Sequence, residues 1–265
     1  MPKLLDGKTN TWWQNKAKKW TAGSSVNEAV RCVKKYNKKG YRVIINSIAD
    51  VSHDQKALEL IRDKYIELIE AIKKNRLNAS ITVRTSNLGI GYSYQEAKNA
   101  LEAVLKKAKA SQLRVEVDME EREFAKKTLK AVTELAKKGY RFRVCIQSAV
   151  KDIDRQVARL RKANKNLSFR IVTGSCYKET MELDEPKTIK QFYKLIFLAG
   201  KETAIGTHIT ERILCAKANG IESQVLMGFE SKQPKGSVDT IYACFGDWKT
   251  NAGIRGYIQR REKPA

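Results

Sequence analysis

Four arginines in this 265-residue chain stand where anion chemistry would need them. Arg84 and Arg170 fall at or near the ends of strand-like runs, and Arg260 and Arg261 close the last helical pattern. A guanidinium is a planar fork of donors that matches a carboxylate or a phosphate, so four of them at one mouth make an anion site. Asp118, at another strand end, supplies a counter-charge able to orient an arginine or an ammonium. The other polar residues at strand exits are Asp50, His53, Glu120, Gln147, Thr173, Thr207, His208, Gln224 and Tyr242, with Tyr257 in the final helical stretch. They include no Ser-His-Asp order and no cysteine placed as a nucleophile. With two histidines in the whole chain, no metal site is expected. Single residues here have plainer readings, Arg170 as an ion pair inside the fold and His208 as a helix cap. Convergence from several strands is what suggests a site.

The elements that must position these residues repeat with a regular beat. Ser168–Glu179, SFRIVTGSCYKE, shows it best: an alternating strand pattern broken at Thr173, Gly174 and Ser175. Strand-like runs recur at Arg42–Ile48, Ala79–Val83, Leu113–Val117, Phe142–Ile146, Phe169–Val172, Thr203–Ile205, Gln224–Leu226 and Val238–Ala243. Helical patterns separate them at Lys56–Lys73, Gln95–Lys109, Glu121–Lys138, Asp152–Ala163, Thr188–Leu198 and Thr210–Asn219. Each carries apolar residues at three-and-four spacing on one face and lysines on the other. The connection Met227–Gly236 is too short and too rich in turn residues for a full helix. Eight strands alternating with helices predict a single α/β domain, a (βα)8 barrel of the TIM type, whose ligands bind at the carboxyl ends of the strands. An open doubly wound sheet is the alternative, but no GxGxxG turn supports it. Residues 1–40 read as a basic, tryptophan-bearing helical extension packed on a barrel of residues 41–265.

Composition narrows the class. An apolar fraction of 42% supports a full core. The five scattered cysteines form no CxxC pair, which suits buried thiols in a reduced, cytoplasmic setting. The excess of 52 Lys and Arg over 29 Asp and Glu, a net +23, favours polyanionic partners. Between Lys16 and Lys39 lie eight basic residues and one acid, following Trp12 and Trp13 and including Trp20. Such a segment suits nucleic acid or an anionic membrane surface, and equally a staple over one end of the core.

Taken in order, the blocks TAGSSVNEAV, ITVRTSNLG, VEVDMEE, VCIQSAV, FRIVTGSCYKE, GTH, ESQVLMGFE and YACFGDWKTNAGIRGYIQRREK resemble those of the flavin-dependent proline dehydrogenases. The resemblance covers nearly the whole chain after residue 20. It implies a distorted (βα)8 barrel holding FAD across its strand ends, with L-proline or a related cyclic amino acid beneath the flavin. Hydride transfer to the flavin would give pyrroline-5-carboxylate, and the electrons would leave to a quinone or another acceptor. Carried over by position, Arg260 and Arg261 would bind the substrate carboxylate, with Asp118, Tyr242, Tyr257 and Arg84 around the substrate. Gln147, Arg170, Thr173, Gly174, Thr207, His208 and Gln224 would hold the cofactor. The chain departs from the family pattern at several positions: Arg84 and Thr173 stand for lysines, Cys176 for the tyrosine of the KGAY block, Asp50 and Pro264 for glutamates, and Ile189 and Lys190 for a Thr-Asp pair.

A second reading remains open at this level. With the Thr173 and Cys176 departures, a barrel that has lost FAD and catalysis would serve as a basic, RNA-binding, ribosome-associated accessory protein. A lesser variant has the N-terminal segment attach the enzyme peripherally to an anionic membrane, where a quinone takes the electrons.

Overall fold

All eight strand-like runs fold as strands of one closed parallel barrel in the structure, a computed structural model that describes residues 15, 18, 20–48, 54–120, 122–174, 182–200 and 202–246. They are β1 (Arg42–Ser47), β2 (Ala79–Val83), β3 (Val115–Val117), β4 (Arg143–Gln147), β5 (Ser168–Val172), β6 (Ala204–Gly206), β7 (Glu222–Leu226) and β8 (Thr240–Phe245). Each pairs in parallel with the next, and β8 closes on β1 from Arg42↔Thr240 to Ser47↔Phe245. The helices are α1 (Val26–Asn37), α2 (Gln55–Lys74), α3 (Tyr94–Ala110), α4 (Arg122–Lys137), α5 (Ile153–Ala163), α6 (Glu185–Ala199) and α7 (Thr210–Ala218). The β7–β8 connection holds only a 3-10 turn at Glu230–Lys232, as its turn-rich sequence predicts.

Local chemistry starts these helices. Ser25, Asp54, Ser93 and Asp184 each accept a first-turn N–H through the side chain, contributions of about 1 kcal/mol apiece. At α1 the cap is reciprocal: Glu28 Oε2 accepts the Ser24 N–H at 2.7 Å while Ser25 Oγ accepts the Glu28 N–H at 3.3 Å.

Strand alternation sends the apolar set outward. Val43, Ile45, Ile81, Val117, Val144, Ile146, Phe169, Ile171, Ile241 and Phe245 lie in one buried cluster with the inner faces of the helices. The opposite set faces the barrel axis and is largely polar: Asn46, Thr82, Glu116, Asp118, Arg143, Gln147, Arg170, Gln224 and Tyr242. The hydrophobic core of this molecule is therefore the annulus between sheet and helices. The lumen is left free to hold charge.

Two sequence boundaries shift, with consequences for the site. β7 begins at Glu222, so Gln224 lies in mid-strand and not at an exit. β8 runs Thr240–Phe245, which places Tyr242 inside the strand as well. In both cases the residue is a polar one on the lumen face.

Candidate active site

The lumen is filled by a ladder of alternating charge that climbs from the amino-terminal end of the barrel toward the strand exits. At its foot, the Glu222 carboxylate takes Arg42 at 3.1 Å, Arg114 at 3.2 Å and Arg143 at 3.1 Å, and accepts the Thr240 hydroxyl at 2.8 Å. Burial pushes the Glu222 carboxyl up, but Arg143, Arg42 and the Thr240 hydroxyl together outweigh it and hold the group down to about 2. Arg143, 1% exposed, also reaches Glu116 at 2.8 Å. Glu116 in turn takes Arg170 at 3.1 Å and the Gln224 amide at 3.1 Å. Arg170 then binds Asp118 with its other terminal nitrogen. Asp118 accepts the Tyr242 hydroxyl at 2.5 Å, and the Arg170 guanidinium lies 5.2 Å from the Tyr242 ring centre.

This ladder sets the protonation states at its top. Burial pushes the Tyr242 phenol well above its ordinary value, and the neighbouring Asp118 charge pushes it further, so it stays a neutral donor. For Arg170, burial pulls downward, but the surrounding negative charges, Asp118 and Glu116 among them, raise the pKa well above normal. A permanent cation thus sits beneath the mouth.

Beside the ladder, the β2 exit is locked by Glu120. Its carboxylate accepts the Ser86 N–H at 2.8 Å, bonds the Ser86 hydroxyl, and pairs with Arg84 Nε at 2.9 Å. Arg84 keeps about a third of its side chain exposed (32%), which makes it the accessible cation of this exit. Gln147, at the end of β4, donates to the Met119 carbonyl at 3.2 Å and so ties the β3 and β4 exits together. Thr173, just past β5, presents its carbonyl to the Ala149 N–H at 2.8 Å, and its hydroxyl accepts from Arg212 at 2.9 Å. Gly174 follows it. Thr207 Oγ accepts the Ile209 N–H at 3.2 Å, fixing the turn that leads into α7. His208 Nε2 accepts the Leu226 N–H at 3.2 Å, and its ring stacks on Phe229 with centroids 4.1 Å apart. Trp20 packs behind Phe229 at 5.7 Å and is buried, so this tryptophan staples the N-terminal segment over the β7–β8 connection.

Asp118, Arg170 and Tyr242 thus meet directly, with Arg84, Gln147, Thr173, Thr207 and His208 around the same set of exits. Two expectations change. Arg170 is not an open fork for an anion, because both terminal nitrogens are spent on Glu116 and Asp118. Gln224 sits lower in the lumen, between Glu116 and Glu222. Asp50, His53, Cys176, Tyr257, Arg260 and Arg261 lie outside the described residues. The sequence reading missed Glu116, Arg143, Glu222 and Arg212. Glu116 was within reach, being two residues before Asp118 on the same face of β3. Among the described residues no group of three or more His, Cys, Asp or Glu is arranged to hold a metal, and no helix is long and apolar enough to cross a membrane.

The chain resembles proteins with this architecture. A family model described as proline dehydrogenase matches residues 29–188, more than half of the chain. Proline dehydrogenase 1 of Bacillus subtilis (strain 168) is 25% identical over 272 residues, covering 94% of this chain and 87% of its own length. Proline dehydrogenase 2 of the same strain is likewise 25% identical over the same shares. Among solved structures, proline utilization A from Bdellovibrio bacteriovorus, inactivated by N-propargylglycine, superposes with a TM-score of 0.78 at 18% identity. A Bradyrhizobium japonicum proline utilization A mutant does so at 0.72 and 20%. These two matches cover 93% and 92% of this chain but only 32% and 30% of the larger structures, and what they share with it is the barrel fold. A family model over more than half of the chain, with these relatives along nearly all of it, shows the family: the chain belongs to the proline dehydrogenase family.

Proposed function

We propose that this barrel is an FAD-dependent oxidoreductase that converts L-proline to pyrroline-5-carboxylate and passes the electrons to a quinone-type acceptor. The observation that carries the reading is the meeting of Asp118, Arg170 and Tyr242 from three strands at the mouth, in a chain of this family.

The residues present fit an anionic, hydrogen-bonding cofactor. Asn46 Oδ1 on β1 and Thr82 Oγ1 on β2 are register partners, both buried and without a hydrogen-bond partner among the described residues, and Arg170 Nε is likewise unused. A buried polar atom without a partner costs about 1–3 kcal/mol, so a polar occupant of the mouth is favoured over an apolar one. The described carboxylates at the top of the lumen are already neutralised by arginines, so they do not repel an anion. Arg84, Gln147, Thr173, Gly174, Thr207 and His208 would hold the cofactor and substrate from the strand exits, with Gln224 supporting from below. Arg260 and Arg261 would take the substrate carboxylate, with Tyr257 beside them.

When bound, the flavin supplies the two-electron acceptor for the hydride of proline. The protein contributes position and field. Asp118 fixes the Tyr242 hydroxyl, so the ring forms a rigid neutral wall for the substrate. Arg170 keeps a positive charge near the reacting centre, which favours negative charge developing above it. Cytoplasmic placement goes with this reading.

Proline-dependent reduction of a dye by the purified FAD-loaded chain tests the function. Turnover that is lost in an Asp118→Ala variant still holding FAD supports it, whereas no turnover by wild-type protein that holds FAD would remove it.

A further inference from the structure

Charged side chains are seldom buried without a partner. Arg143 and Arg170 follow the rule, with Glu116, Glu222 and Asp118 as theirs. Arg212 does not. It lies in the first turn of α7, is 7% exposed, and has no carboxylate within ion-pair distance among the described residues. Its contacts are the Thr173 hydroxyl at 2.9 Å and the face of the Phe192 ring at 5.1 Å. A hydroxyl and a ring face solvate a guanidinium poorly, and among the described residues no carboxylate neutralises this buried cation.

Its surroundings point to the missing charge. Thr173 lies at the β5 exit, and α7, which carries Arg212, follows the β6 exit, so the Arg212–Thr173 hydrogen bond links the two. The N-cap of α7 is Ile209, which offers no side-chain acceptor, so the first-turn N–H groups of α7 lack a side-chain cap. A helix start with open donors and a buried guanidinium at the same exit together suit an anion with several oxygens. The carboxylates nearest the mouth are already engaged, Asp118 by Arg170 and Glu120 by Arg84.

We propose that Arg212 is the receptor for a phosphate oxygen of the cofactor's pyrophosphate. It reaches that group from the helix side of the β5 and β6 exits, with the α7 N-terminus beside it. The assignment rests on the FAD reading above and adds to it a residue that the strand-exit pattern does not reveal. The competing role is a brace that only holds Thr173 in place.

The test is equilibrium titration of the purified full-length wild type, Arg212→Met and Arg212→Lys with FAD and with riboflavin, which lacks the pyrophosphate. The expected result is FAD affinity about 10- to 100-fold weaker in Arg212→Met, the scale of one charge-assisted hydrogen bond. Riboflavin affinity stays unchanged, and Arg212→Lys, which keeps the charge but not the planar fork, weakens FAD by a smaller factor. Equal weakening for FAD and riboflavin would make Arg212 a brace and overturn the proposal, as would an unchanged FAD affinity. Should Arg212→Met fail to fold, Arg212→Lys decides, since it weakens FAD alone if the fork binds phosphate and both ligands, or neither, if it does not. Should wild type bind no flavin at all, the cofactor reading fails and inorganic pyrophosphate becomes the probe. Pyrophosphate binding that Arg212→Lys weakens preserves the anion site, and no binding removes it.

Discussion

At the residue scale, the site rests on one carboxylate with two partners. Asp118 holds the Arg170 guanidinium and the Tyr242 hydroxyl at once, so removing it uncovers a buried cation and frees a ring. Asp118→Ala is expected to cost about 3–5 kcal/mol of stability, the usual penalty for a buried charge that loses a partner, read by urea denaturation. A loss under 1 kcal/mol would mean that Glu116 alone satisfies Arg170. Tyr242→Phe is gentler, since it removes only a hydrogen bond to a charged group, worth about 1.5–3 kcal/mol. If Tyr242 is fixed for catalysis, kcat/KM for proline falls about 10- to 100-fold in protein that is still folded at the assay temperature. A variant with unchanged kcat/KM would place Tyr242 outside the substrate wall.

At the element scale, the foot of the barrel is where strands of opposite charge are joined. Glu222 of β7 collects arginines from β1, β4 and the segment leading into β3. Its carboxyl, ordinarily near 4.5, is held down to about 2 in the fold. A depressed carboxylate stabilises the folded state above its unfolded pKa, and that contribution is lost as pH falls through the folded value. Between about pH 4.5 and pH 2 the wild type should therefore lose stability on the order of 3 kcal/mol from this group alone. Glu222→Gln should be less stable at pH 7 and flatter across that window. An acid profile as steep as the wild type's would show that other carboxylates carry the effect. The Trp20–Phe229 contact is a second joint, between the N-terminal segment and the β7–β8 connection. Trp20→Ala should cost about 3–5 kcal/mol, as for other large buried aromatics, and a shift below 1 kcal/mol would show that it is not a staple. Elements of this kind were legible in unequal measure. The eight strands, the helices and the missing helix after β7 follow from periodicity, because the outward faces of the strands must be apolar to meet the helices. Gln224 and Tyr242 were read as exit residues because a polar side chain in a short run looks like the end of a strand. The lumen partners Arg143 and Glu222 stayed hidden, because sequence alone does not say which charges meet across a closed barrel. Arg212 was masked by an ordinary amphipathic helix pattern.

At the scale of the whole molecule, the fold separates two environments. An apolar annulus between sheet and helices provides stability, and a charged lumen is tuned from foot to mouth. Inverting the usual apolar filling of a barrel lumen makes sense if the mouth must keep a permanent cation and a neutral phenol beside a bound redox group. The +23 net charge contributes solubility and long-range attraction for anions, but the arrangement that specifies chemistry is the internal ladder. That claim is tested most directly by the absorption spectrum of the purified chain given FAD, freed of excess cofactor and then mixed with proline. The account predicts retained flavin bands that bleach when proline is added. A chain that retains no flavin from excess FAD, or flavin bands that proline leaves unchanged, would contradict it.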